Sequence, residues 1–506
     1  MDSGLIRLGL AMARRGAGVV FRIFFPLVLC TAFVGLPPSA RASDSFLPRV
    51  PQLCFAPGTP LEWIEQTEQQ AGVAAIETSL HAPGLQRSRV ASRWWGTATD
   101  GGGLSQGDPI TLTWSVLPDG TSIPTGGPDP TGPSNLRAFL TNIYSSEAEW
   151  RQVLRAVFDR WGELTGITYV EEPNDDGAAF PGSPGVLGAR GDIRIGGHFI
   201  DGNYGILAYN YFPDSGDMVL DTGDAFYYDT TSNSLRLRNT LAHEHGHGLG
   251  LSHVCPMDQT KLMEPMLSTR FDGPQHDDIL GANRSYGDVN EANDSPTDGT
   301  DLGALPLYEA ANLSIDDLAD TDVYRFSVAA SSRLDVTVTP VGWTYLEGPQ
   351  AGDCSAGTSF DSLTLQDLAL DVLDTDGSSV LDSIDINPAG SPEELVGTVI
   401  PGPGEYFVRV RGDTLGKAQL YRLDLAVTVD SNGCNGDNPV ISETQFVSPE
   451  DVSCTGNASI TLGANTEILS GARLMLTAPQ VRWVNPVRVE AGGQLHIVTP
   501  TTVVLD

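Results

Sequence analysis

Over residues 109–116 apolar and polar positions alternate, which predicts a strand. From Glu147 to Leu164 the apolar positions Trp150, Val153, Leu154, Val157, Phe158 and Trp161 recur at helical spacing, and Gly166 closes that helix. Residues 167–170 and 192–195 then read as strands, and 205–213 as a further extended segment. Beyond residue 320 the period is that of strands alone, over 322–328, 334–338, 368–373, 404–410 and 421–429, which predicts a β-sandwich. Toward the end, residues 468–476 align with 489–497 at an offset of 21, as expected for rungs of a small β-solenoid or a stacked sheet.

One window departs from simple patterning. Residues 243–253 read His-Glu-His-Gly-His-Gly-Leu-Gly-Leu-Ser-His and hold four of the eight histidines. On a helix His243 and His247 share one face, one turn apart. Two imidazoles so presented form half of a tetrahedral zinc site. Gly250 can take positive φ, end the helix and bring His253 round as third ligand, which leaves one position for water. Glu244, beside the metal, is placed to take a proton from that water. His245 lies off the ligand face and is expected to be solvated or to stand behind the ligands.

The window matches H-E-x-x-H-x-x-G-x-x-H, so this stretch resembles the metzincin metallopeptidases. Leu262-Met263-Glu264-Pro265, with Met263 ten residues after His253, resembles the methionine turn of the matrixin branch. Asp277-Asp278-Ile279-Leu280-Gly281 and Ser285-Tyr286-Gly287 resemble its final helix. The resemblance implies an α+β metzincin-like domain with a twisted mixed sheet and long helices. It also implies one catalytic zinc on His243, His247 and His253, Glu244 as general base, and Met263 shaping the floor of the site. Residues 205–213 match the matrixin edge strand, which pairs with substrate as an added strand. Tyr209 and Val219 stand where matrixins carry histidines for a second, structural zinc. His198 is therefore read as a lone histidine, and the second zinc is not expected. The acids around Gly216-Asp217 and Asp221 are candidate calcium ligands, or simply turn formers. The D-x-Y-x-F and G-x-Y-x-V-x-V patterns at 322–326 and 404–410 resemble the bacterial pre-peptidase C-terminal domain, which is expected to supply no chemistry of its own.

The expected division is 1–42 signal peptide, 43–95 pro-segment-like region, 96–288 matrixin-like zinc peptidase domain, 289–430 pre-peptidase C-terminal-like β-sandwich and 431–506 β-solenoid-like region. Arg7, Arg14, Arg15 and Arg22, the apolar run 23–36 and Ala40-Arg41-Ala42 read as an export signal, so the protein is expected to be secreted. The apolar run is too short, and too broken by proline, to span a membrane.

Composition narrows the partners. A net charge of −35, from 64 acidic and 29 basic residues, argues against nucleic acid and anionic membranes. The expected partner is a protein or peptide substrate, and nothing in the sequence sets an oligomeric state. Once the signal is removed five cysteines remain, and Cys434 with Cys454 is the preferred bridge on closeness. Cys54-Phe55-Ala56-Pro57 lacks the arginine, glycine and aspartate that flank the matrixin latency cysteine. A disulfide or a free thiol is therefore expected at Cys54 instead. The alternative to a peptidase is a surface-binding, adhesin-type protein with a vestigial zinc domain; a retained Glu244 speaks against it. A zinc amidase acting on another amide polymer would use the same metal chemistry.

Overall fold

The computed structural model describes residues 50–71, 92–125, 129–316, 320–350, 354–413, 417–429, 440–441, 445–446, 451–463, 466–484, 487–498 and 502–505. The expected signal segment and Cys434 lie outside them.

The first half is built on a six-stranded sheet. Its strands are β1 (Gln52–Phe55), β2 (Ile110–Val116), β3 (Ile167–Glu171), β4 (Ile193–His198), β5 (Ile206–Asn210) and β6 (Met218–Asp221), ordered β1-β5-β6-β4-β2-β3. β6, β4, β2 and β3 run parallel, while β5 is antiparallel to β6 and β1 is antiparallel to β5. Residues 205–213 were expected to form the sheet edge. They do not, because β1 covers that edge, pairing Cys54 with Ala208 and Gln52 with Asn210.

Helix α1 (Leu61–Ala71) follows β1, and α2 (Leu136–Tyr144) precedes α3 (Glu147–Gly162). α3 starts where the sequence pattern places it. The Ser146 hydroxyl accepts from the Glu149 N–H at 3.3 Å, and Glu147 and Glu149 in the first turn suit the positive end of the helix dipole. Its apolar stripe is buried, with Phe158 stacked on Trp114 of β2 at 4.7 Å. Helix α4 (Thr231–Gly248) carries the histidine window and crosses α3 where the Trp161 indole N–H donates to the Ala242 carbonyl at 3.3 Å. Residues Ser232, Asn233 and Ser234 have φ of 52°, 54° and 58°, so right-handed helix begins only after them. The short strand β7 (Val254–Cys255) and helix α5 (His276–Tyr286) complete this half.

From residue 300 to 429 every regular element among the described residues is a strand. β8 (Thr300–Gly303), β10 (Thr321–Val328), β14 (Ala369–Leu373), β15 (Val380–Ile384) and β17 (Gly404–Arg411) form one sheet. β9 (Leu307–Ile315), β11 (Ser332–Pro340), β16 (Glu393–Ile400) and β18 (Gln419–Val429) form the other. Alternate residues of these strands, among them Phe326, Val336, Val408 and Leu423, fill a common core. Two strands leave this arrangement: β12 (Thr344–Pro349) pairs with β13 (Thr358–Asp361) on one side and with β7 of the first half on the other. This arm is tied down by the Cys255–Cys354 disulfide. The arm and α5 meet where Tyr345 donates to Asp277 at 2.5 Å and His276 packs on Trp343 at 4.3 Å.

After residue 440 short strands pair in parallel ladders. Arg473 faces Gln494 and Ile460 faces Val481, an offset of 21 that matches the sequence repeat. Cys454 is disulfide-bonded. No helix of the described residues is long and apolar enough to cross a membrane.

Candidate metal centre and active site

On α4, Leu237, Leu241 and Ala242 are buried in the core, and His243 and His247 are fully buried one turn apart. The right-handed helix stops as the Gly250 φ of 99° turns the chain back. A Cβ at Gly250 would lie 1.9 Å from the Ser92 carbonyl oxygen, so both the conformation and the space demand glycine. The reversal brings His253 against the other two.

The three imidazoles converge through Nε2. His243 to His247 is 3.1 Å, His247 to His253 is 3.2 Å and His253 to His243 is 3.3 Å. In a tetrahedron with Zn–N bonds of 2.0–2.1 Å the ligand atoms stand about 3.3–3.4 Å apart, so the triangle fits zinc. Each Nδ1 has an acceptor: the Leu262 carbonyl at 2.7 Å for His243, the Leu251 carbonyl at 2.7 Å for His247, and the Gln350 Oε1 at 2.8 Å for His253. An Nδ1–H held in this way leaves the Nε2 lone pair free for a metal. Burial, and then the neighbouring His253, pushes the His243 pKa down to about 3, and the same causes take His247 well below its ordinary value. Both rings are therefore neutral, as metal ligands must be.

Glu244 is fully buried, and among the described residues neither carboxylate oxygen has a hydrogen-bond partner. Burial raises its pKa well above the ordinary range. A carboxyl group so stripped of water is costly unless something polar is to be handled there. Met263 is buried beneath the histidines, and its turn is held by Asp278, which accepts from the Leu262 N–H at 2.8 Å and the Met263 N–H at 3.1 Å. Asp278 also closes a capping box with Gln275 at the start of α5, so this helix positions the methionine turn.

Several expectations change. His245 is not solvated: it is fully buried against Phe158 and Trp161, and its Nε2 lies 2.6 Å from the Tyr169 hydroxyl. The back of α4 packs on α3, so a residue off the ligand face meets core and not water. His198, read as a histidine without fellow zinc ligands, is held by Asp129, which lies 2.8 Å from its Nε2 and also accepts from Tyr209 at 2.9 Å. Asp221 and Asp217 spend their oxygens on backbone N–H groups of Ile200, Gly202, Gly223, Gly182 and Arg194; only the Asp221–Gly223 bond is a turn, and the others tie distant segments together. Tyr286 is buried under the end of α4, donating to the Leu249 carbonyl at 2.8 Å.

Of two further participants, the first had been set aside as a latency cysteine and the second was missed. Cys54 is a free, buried thiol whose sulfur lies within 4.8 Å of donor atoms of His243 and Glu244. β1 delivers it by running between β5 and the segment after the methionine turn, where the Phe55 N–H donates to the Pro265 carbonyl at 3.1 Å and the Leu267 N–H to the Phe55 carbonyl at 3.0 Å. Gln350 is the other, and it shows that the sandwich half does reach the chemistry. The only sequence signal for either was the bare Cys54; a glutamine 97 residues from its histidine carries none.

Fold and site together define a matrixin domain. Residues 138–287 match the family model described as Matrixin, and residues 320–412 match the Bacterial pre-peptidase C-terminal domain. Among relatives, Metalloendoproteinase 4-MMP of Arabidopsis thaliana is 28% identical over 158 residues, covering 28% of this chain and 42% of that protein. Matrix metalloproteinase-23 of Bos taurus is 27% identical over 239 residues, covering 39% and 57%. Matrix metalloproteinase-16 of Homo sapiens is 31% identical over 162 residues, covering 28% and 24%. The matched stretches thus span less than two thirds of these relatives. A solved pre-peptidase C-terminal domain of collagenase from Bacillus anthracis aligns with 25% of this chain and 93% of that chain, at 16% identity and a TM-score of 0.16.

Proposed function

We propose that the protein is a secreted zinc-dependent endopeptidase that hydrolyses peptide bonds, with Glu244 as general base. The observation that carries this reading is the pairing of a zinc-sized Nε2 triangle with a buried Glu244 carboxylate that has no hydrogen-bond partner among the described residues. When bound to His243, His247 and His253, zinc supplies a water acidified to a pKa of about 7 and polarisation of the scissile carbonyl. Glu244 takes the proton of the attacking water and passes it to the leaving amine. Met263 forms the floor beneath the ligands. An extended substrate lies antiparallel on β5, the place β1 holds in this structure. Residues 43–95 act as a pro-segment, and β1 must leave before a substrate can enter.

The remaining parts of the reading are domain assignments. The catalytic domain spans 96–288, the sandwich 289–430, and the parallel ladders of 431–506 are turns of a small β-solenoid. Export follows from the signal at 1–42. Calcium is assigned to Glu291, Asp320 and Asp322, whose oxygens come within 4.8 Å of one another at the junction of the two halves. Burial, and then the charges of Asp320 and Asp288, drives the Glu291 pKa up to about 10, and a divalent cation would relieve that repulsion.

The test is to compare the secreted protein with Glu244→Ala for zinc content and for cleavage of an unfolded protein. One zinc in each form and chelator-sensitive cleavage in the parent alone are expected. Equal cleavage by both forms would show that Glu244 is not the base.

A further inference from the structure

We propose that Gln350, on the arm of the sandwich domain, is a positioning residue for the metal ligand His253. The proposal rests on the zinc reading above. The argument starts from hydrogen-bond polarity. Gln350 bridges two groups: its amide nitrogen donates to the Glu68 Oε2, and its Oε1 stands 2.8 Å from the His253 Nδ1. The amide nitrogen of Gln350 is turned to Glu68, and an amide oxygen can only accept. Its oxygen then faces the imidazole, and the His253 Nδ1 must carry the proton. That leaves the Nε2 lone pair directed at the other two imidazoles. In the unprocessed chain, where Glu68 is present, the series Glu68, Gln350, His253 thus sets one tautomer and one ring orientation.

The other ligands do not need such outside help. His243 and His247 bond to the carbonyls of Leu262 and Leu251, both within the catalytic half. His253 alone of the three takes its acceptor from the other domain. The arm that brings it is firmly attached. Val254, next to the ligand, pairs with Pro349, next to the glutamine, and Cys255 pairs with Gly348. Cys255 is then joined covalently to Cys354 on the far side of Gln350. Ligand and acceptor therefore flank two paired strands, each one residue from a paired position, so the arm fixes the distance between them. The sandwich is on this view a working part of the metal centre, and its removal would loosen the third ligand.

Zinc affinity of the full chain, read by competition with a chromophoric chelator, tests this without recourse to activity. Gln350→Leu removes the acceptor and should weaken zinc binding by about 10–100-fold, the usual effect of losing a hydrogen bond to a ligating histidine. Should that variant not fold, Gln350→Met, of similar length and without a strong acceptor, takes its place. The double variant Glu68→Gln with Gln350→Glu reverses the polarity of the pair but still offers an oxygen to the Nδ1–H, and it should keep parental affinity. Parental affinity in the leucine or methionine variant overturns the proposal, as does an equal loss in the double variant. A parent that binds no zinc at all overturns the zinc reading, and this inference with it.

Discussion

The sulfur of Met263 lies 2.3 Å from where a Cβ on Gly246 would stand. Gly246 sits between Glu244 and His247 on α4, so the methionine packs against the bare backbone of the helix that holds the ligands. Glycine inside a helix costs about 1 kcal/mol relative to alanine, and the close packing of the methionine turn is what the chain gains in return.

Gly246→Ala should therefore destabilise the protein despite its better helix propensity. Overpacking of about 1–3 kcal/mol set against the roughly 1 kcal/mol gained in propensity leaves a net loss of up to about 2 kcal/mol. Urea denaturation reads this directly, and an unchanged or raised midpoint would mean the methionine moves aside freely.

β1 offers a second handle. A peptide of residues 52–57 should inhibit the processed protein in competition with substrate, because β1 fills the strand position on β5 and brings the Cys54 thiol within reach of the ligands. Replacing Cys54 by alanine in that peptide should weaken inhibition by about tenfold, or ~1.4 kcal/mol. Non-competitive kinetics would place the peptide elsewhere.

The acidic cluster at the junction, the proposed calcium site, should make stability depend on pH and calcium. The folded-state pKa of Glu291 is raised to about 10 from an ordinary value near 4.5, with burial as the main cause and Asp320 next. A carboxyl group raised on folding gives stability that is full below its unfolded pKa and is lost as pH rises toward the folded one. Calcium-free protein should thus lose stability as pH climbs from about 4.5 toward 10. Calcium should restore it at neutral pH, and Glu291→Gln should blunt both effects. A melting temperature indifferent to calcium at pH 8 would remove the cation from this place.

What the sequence alone determined was local. The spacing of His243 and His247, the need for glycine at 250, the stripe of α3 and the offset of 21 all follow from periodicities of helix and strand, which neighbours along the chain settle between themselves. What only the tertiary structure decided came from residues distant in the chain. β1 covers β5, which no pattern within 205–213 could announce, since a strand reads the same at an edge as beneath another strand. His245 was legible as off the ligand face, yet whether water or Phe158 lay behind it depended on how α3 packs. Cys255 finds Cys354 across a separation of 99, a pairing that closeness in sequence could not announce. Gln350 reaches His253 only because β12 pairs with β7. Periodicity tells which way a side chain faces, and only folding in three dimensions tells what it meets there.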